Sequence, residues 1–241
     1  MRFFNSIRNF LGLGEETKDT SPVLTNTQQE QTKIMMRDVI WDDAKPPVKK
    51  AFNVLVLADG HGHIRREDLQ DTDRIPDAIF LLGDNDYDDI QELKRFIDEY
   101  RYTAPIFGIE GNHDKKGFLE REGIQNLHNK TIEFEGLIIG GLSGSIRYTE
   151  KMNYCMLSNG ESEALMSQMP YCDILLTHDK PCFEKPERTD AHSGLTGIGS
   201  YIMYHHPSLV LHGHLHEPYI RQYENTVIRC CYGIECFTIS I

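Results

Sequence analysis

Five short apolar runs, each ending in residues of the kind that bind metal ions, constrain this chain more than anything else in it. The runs are NVLVLAD, AIFLLGD, PIFGIEGNHD, DILLTH and SLVLHGHLH. Their ends carry Asp59-Gly60-His61, Gly83-Asp84, Gly111-Asn112-His113-Asp114, Thr177-His178 and Gly213-His214-Leu215-His216. A continuous run such as Phe52 to Ala58 is the pattern of a strand buried on both faces. In α/β architectures the carboxyl ends of neighbouring strands open on one crevice, where residues distant in sequence meet. Asp, Asn and His gathered there are what a pair of divalent cations would need.

Helical periodicity alternates with these runs. Asp86 to Arg101 reads as a helix, with Ile90, Leu93, Ile97 and Tyr100 on one face. Shorter helices are expected over Lys115 to Glu122, ending at Gly123, and over Ser162 to Met169, with Ser162 as the cap. Another is expected from about Gly194 to His205, ahead of Pro207. Thr131 to Ile139 reads as a hairpin turning at Glu135-Gly136, and Thr226 to Ile241 alternates well enough for two more strands. The fold class is therefore α/β, a mixed-sheet core covered by helices.

At 241 residues the chain can bury one large core but is short for two domains with linkers. The domain is expected over residues 50–241, behind an N-terminal extension of residues 1–49. Within that extension, Met1 to Leu13 spaces Phe3, Phe4, Ile7, Phe10 and Leu11 as a short amphipathic helix, suited to docking on the domain, on a partner or weakly on a membrane. Gly14 to Lys33 has linker composition, and Ile34 to Trp41 is expected to pack on the domain's outside. No apolar stretch is long enough to span a bilayer. A net charge of -12 argues against a broad footprint for duplex nucleic acid, yet leaves room for a small anionic substrate once cations reverse the local field. The six cysteines form no CxxC pair and no secretory signal precedes them, so reduced thiols in a cytoplasmic protein are expected.

The order DxH, GD, GNHD, a single His after an apolar strand, then GHxH resembles the calcineurin-like metallophosphoesterase family. The resemblance covers about Val54 to Glu217. Each motif is weak by itself; five in order, each at a strand end, are specific. The resemblance implies a β-sandwich of mixed sheets flanked by helices. It also implies a phosphoesterase acting on a phosphomonoester or phosphodiester through a metal-bridging hydroxide. Two divalent ions would be its cofactors, with manganese favoured and iron, zinc, cobalt or magnesium compatible. By the same resemblance Asp59, His61 and His216 would hold one ion, Asn112, His178 and His214 the other, and Asp84 would bridge them. His113 would face the phosphoryl group and protonate the leaving oxygen, beside Asn112, and Asp114 would orient the loop. His192 resembles a histidine that some small members place near the substrate phosphate.

The sequence departs from the family at Tyr87, where many members carry an acidic residue that steers the catalytic histidine; here Asp86 and Asp88 flank it. Asp88 and Asp89 read as helix-start carboxylates, His63 and His128 as surface residues, and His205 and His206 as a helix end. The arginine-bearing signatures of protein phosphatases are missing after GD and GNH. A small nucleotide-like substrate is favoured. The alternatives are a non-catalytic scaffold of the same fold and a nuclease.

Overall fold

The structure, a computed structural model, describes residues 51–70, 74–149, 155–185 and 189–241. The expectations for residues 1–49 lie outside the described residues.

Strands of one sheet lie in the order β13-β1-β2-β3-β4, where β1 is Ala51–Ala58, β2 Ala78–Leu82, β3 Ile106–Ile109, β4 Gln125–Asn126 and β13 Gly233–Ser240. A second sheet runs β11-β12-β10-β9-β6-β5, from β5 Lys130–Phe134, β6 Leu137–Leu142, β9 Ile174–Thr177, β10 Leu209–His212, β11 Tyr219–Tyr223 and β12 Thr226–Cys230. Both sheets are mixed. β1, β2, β3 and β4 are parallel while β13 runs against β1. β6, β9, β10 and β12 are parallel between antiparallel β5 and β11. A small parallel pair joins β7 (Ser145–Ile146) to β8 (Met156–Leu157).

The strand sequences explain the layering. Along β1, Val54, Val56 and Ala58 enter a core shared with Phe80, Ile109, Ile139, Leu176 and Leu211, which lies between the sheets. The alternate residues Leu55 and Leu57 face outward, onto Leu69 of α1 (Arg66–Gln70), Ile90, Leu93 and Phe96 of α2 (Tyr87–Tyr100) and Leu119 of α3 (Phe118–Arg121). On the far side, Leu175 and Val210 meet Met166 of α4 (Asn159–Gln168) and Ile198 and Ile202 of α5 (Thr196–His205). Helices thus cover both outer faces of a sheet-on-sheet core. That is why the central strands are apolar at every position instead of alternating.

Several local expectations need correction. The cap of α4 is Ser158, whose Oγ accepts from the Glu161 amide while Glu161 accepts from the Ser158 amide. Ser162 lies inside that helix, buried, donating to the Asn159 carbonyl and accepting from the Gly197 amide. The helix expected over Lys115 to Glu122 is reduced to α3, because Gly117, at φ 78°, breaks the backbone before it. The two strands of the tail separate: β12 joins β10, whereas β13 crosses to the other sheet beside β1. The hairpin turns as expected, with Glu135 at φ 51° and Gly136 at φ 72°, the left-handed pair that matches strand twist.

Candidate metal centre

Register brings the motif-bearing ends level. Leu57 pairs with Leu81 and Leu82 with Ile109, so Asp59, Asp84 and the Gly111-Asn112-His113 turn emerge side by side from one sheet. Thr177 pairs with His212, so His178 and Gly213-His214 emerge together from the other. The two rows meet because His178 donates its Nδ1 proton to the Leu82 carbonyl at 2.7 Å, across the sandwich. With Nδ1 committed, Nε2 is left facing the crevice, the usual arrangement for a ligand histidine fixed by a backbone carbonyl.

Two clusters result. Asp59, His61 and His216 bring one ligand atom each within 4.8 Å of one another, and Asp84, His178 and His214 do the same. In the second cluster His178 Nε2 lies 3.0 Å from Asn112 Oδ1 and 3.2 Å from Asp84 Oδ2. Both oxygens converge on this one ring nitrogen. His214 donates Nε2–H to the Ala191 carbonyl at 2.6 Å, which turns its Nδ1 toward the cluster. In the first cluster, His61 and His216 place their Nε2 atoms 3.3 Å apart. His216 stacks on Tyr232, with ring centres 5.1 Å apart. The clusters touch through Asp59, whose Oδ2 accepts the His214 amide at 2.8 Å.

His113 is exposed, its ring 5.3 Å from that of His61, and its amide donates to Asp84 Oδ1 at 2.8 Å. His192, also exposed, lies with its ring 5.1 Å from that of His214. Every site residue marked in the sequence thus sits in or beside this one crevice.

The backbone here is tightly constrained. Five of the ten non-glycine residues with positive φ among those described are candidate ligands: Asp59, His61, Asp84, His214 and His216. Each such residue costs roughly 1–2 kcal/mol, the kind of strain that collects at functional sites. At Gly111 a Cβ would lie 2.1 Å from Asp84 Oδ1, so only glycine lets the two loops approach. Asp114 secures the same junction by accepting the Gly111 amide at 2.7 Å and the Asp84 amide at 2.8 Å.

Burial sets the electrostatics. It disfavours the Asp84 carboxylate, but the facing His178 imidazolium more than compensates and holds Asp84 below the usual carboxylate range. Burial likewise opposes charge on His178, yet Asp84 keeps its pKa well above the usual imidazole value. His214 is pushed down to about 4 by burial and is therefore a neutral imidazole at pH 7. Burial raises Asp59 and lifts Asp114 to about 7, with the Asp84 charge adding to it.

A model of the calcineurin-like phosphoesterase superfamily domain matches residues 52–230. The chain belongs to that superfamily. It is a metal-dependent phosphoesterase by family. An alignment 175 positions long, covering 58% of this chain and 73% of the relative, shows 26% identity to an uncharacterised protein of Haemophilus influenzae. Among solved structures, TT1561 of Thermus thermophilus aligns over 76% of this chain and 90% of its own at 16% identity, with a TM-score of 0.54. Phosphopantetheinyl hydrolase of Mycobacterium tuberculosis aligns over 75% of this chain and 89% of its own, at 12% identity and a TM-score of 0.50. Identities this low speak for the sandwich and its helices, not for a shared substrate.

The residues suit the two cations that this phosphoesterase family implies. Asp59 Oδ1 is buried and accepts no hydrogen bond, with only His216 Nε2 facing it at 3.6 Å, a state that is costly for a carboxylate oxygen unless a cation meets it. Around His178 Nε2, Asn112 Oδ1 and Asp84 Oδ2 converge at 3.0 and 3.2 Å, two oxygens and a nitrogen aimed at one point. The donor set is imidazole nitrogen and oxygen throughout, which suits manganese, iron, zinc or cobalt.

Sequence reasoning passed over four residues that the structure draws into this phosphoesterase centre. Tyr148 places its hydroxyl 3.5 Å from Asn112 Nδ2, and Tyr232 backs His216. His212 is buried behind Gly213, donating Nδ1–H to the Gly213 carbonyl at 2.9 Å and accepting the Tyr219 hydroxyl through Nε2 at 2.7 Å. Asp89, read as a helix-start carboxylate, is fully buried and points at the Gly60–Ile64 turn. The signal for Asp89 was available: it shares the buried stripe of α2 with Ile90, Leu93 and Phe96. His128, expected at the surface, is half-buried and accepts the Ser143 amide through Nδ1.

Proposed function

We propose that this protein hydrolyses a small, nucleotide-like phosphomonoester or phosphodiester with two divalent cations, manganese favoured. Asp59, His61 and His216 would hold one ion, and Asn112, His178 and His214 the other, with Asp84 shared. Such ions activate water and neutralise charge on the phosphoryl oxygens. The observation that carries this reading is the pair of adjoining clusters, with the buried Asp59 Oδ1, which accepts no hydrogen bond, 3.6 Å from His216 Nε2.

The chain's own groups then divide the remaining work. Asp84 fixes the His113 backbone through its amide, and the exposed His113 ring donates a proton to the departing oxygen. His192 contacts a phosphoryl oxygen beside His214. The His178–Leu82 bond and the Asp114 carboxylate keep the ligand loops in place as charge develops. A net charge of -12 favours a small substrate over long nucleic acid.

The test is turnover by metal-stripped protein resupplied separately with manganese, zinc, magnesium or iron. Aryl phosphomonoester and aryl phosphodiester are compared, with Asn112→Ala and His113→Ala alongside. Metal-restored turnover that both substitutions suppress is expected. Full activity after loss of Asn112 or Asp84 contradicts the two-ion reading.

A further inference from the structure

Asp89 belongs to none of the ligand sets and touches no substrate-facing group, yet its carboxylate is among the most heavily used in the molecule. It is fully buried at the start of α2. Oδ2 accepts the Gly62 amide at 2.8 Å and the Asp86 amide at 2.9 Å, while Oδ1 accepts the Ile64 amide at 2.9 Å. A helix start needs a carboxylate for its own amides; only the Asp86 bond has that purpose. The other two reach across to the loop that follows β1.

That loop is the one bearing Asp59 and His61. Both have positive φ, 55° and 47°, with Gly62 at 76° between His61 and His63. A turn through successive left-handed residues does not hold itself. Inside the turn, His63 donates its amide to the Gly60 carbonyl at 2.8 Å, and His61 donates its own to the Asp84 carbonyl at 3.1 Å. Asp59 donates its amide to the Gly83 carbonyl at 3.1 Å, and the amides of Gly62 and Ile64 go to Asp89. The fit is close enough to decide the residue at position 60: a Cβ there would lie 2.5 Å from Asp89 Oδ2. One buried carboxylate therefore ties the loop after β1 to the loop after β2, the first carrying Asp59 and His61 and the second Asp84.

We propose that Asp89 is a positioning residue for the phosphoesterase centre, setting His61 for the cluster it forms with Asp59 and His216. This rests on the two-ion reading above. The proposal separates the clusters, because nothing from Asp89 reaches His178 or His214, whose rings are fixed by the Leu82 and Ala191 carbonyls. Asn at position 89 keeps the shape but turns an N–H group toward amide donors, whereas Glu would intrude on Gly60.

The test is calorimetric titration of the metal-stripped full chain with manganese, comparing wild type, Asp89→Asn, His61→Ala and the double variant, with melting temperatures measured on each. Asp89→Asn is expected to weaken one of two manganese equivalents about 10- to 100-fold, the effect typical of residues that orient metal ligands, and to leave the other as in wild type. The double variant should bind no more weakly than His61→Ala alone, since both act on the same equivalent. Two equivalents bound at wild-type strength by Asp89→Asn overturn the proposal. So does parallel weakening of both with a lowered melting temperature, which marks a purely structural role. Wild type that takes up fewer than two equivalents overturns the two-ion reading itself, a result distinct from either.

Discussion

The cluster of Asp84, His178 and His214 is buried at every residue, whereas the cluster of Asp59, His61 and His216 climbs from a buried carboxylate to a side chain 48% exposed. The first is fastened to strand and loop carbonyls through His178 and His214. The second depends on turns and on the stacking of His216 against Tyr232. One site is built into the seam between the sheets and the other is assembled over its rim. A buried, preorganised set loses little on binding an ion, and an exposed one stays open to exchange with solvent and substrate.

The largest effects should separate the two. His178→Ala removes a candidate ligand and one of the bonds between the sheets, and should lower kcat about a thousandfold, the worth of several kcal/mol of lost charge stabilisation. His216→Ala should cost far less and be largely restored by excess manganese. Steady-state kinetics over a manganese series decide it; equal losses with equal rescue erase the distinction.

Acid should strain the buried side first. His212, behind Gly213, is pushed down to about 4 by burial, against an ordinary 6.5. Between those values the unfolded chain takes up a proton that the folded chain refuses. Stability is therefore full above pH 6.5 and falls as pH drops toward 4, by on the order of 3 kcal/mol. Urea unfolding across that window should show a flatter slope for His212→Asn than for wild type; identical slopes refute it.

A smaller effect concerns metal uptake. Asp84 holds His178 protonated through the neutral range, so an ion must displace that proton. Affinity at the buried cluster should rise about tenfold per pH unit, while the rim cluster responds less. Manganese titrations at pH 6, 7 and 8 measure both, and a pH-independent buried equivalent sinks the idea.

The same contrast explains what the sequence disclosed. Strands such as Phe52 to Ala58 were legible because a layer packed on both faces demands apolar residues without a gap. The gathering of the candidate ligands was legible because strand ends in register share one crevice. Asp89 was not, since one carboxylate among Asp84, Asp86, Asp88 and Asp89 looks like any acidic helix start until the helix face is traced. The cap of α4 went to the wrong serine because Asn159 and Gly160, poor helix formers, follow Ser158, whereas Glu163, Ala164 and Leu165 follow Ser162; the Glu161 amide bond decides for Ser158. Strand β11 escaped notice because an edge strand of Tyr, Ile, Arg, Gln and Tyr, largely exposed, lacks a buried face to announce it.

Five candidate ligands with positive φ have a consequence for how such a chain changes over generations. At most buried positions, selection for a sturdier fold and selection for chemistry accept the same residue. At Asp59, His61, Asp84, His214 and His216 they pull apart, because glycine or asparagine would sit more comfortably in the backbone found there. A lineage released from the need to bind ions would drift toward those residues quickly, and the rim would go before the seam. Asp and His stand at all five, residues that the backbone itself would not choose.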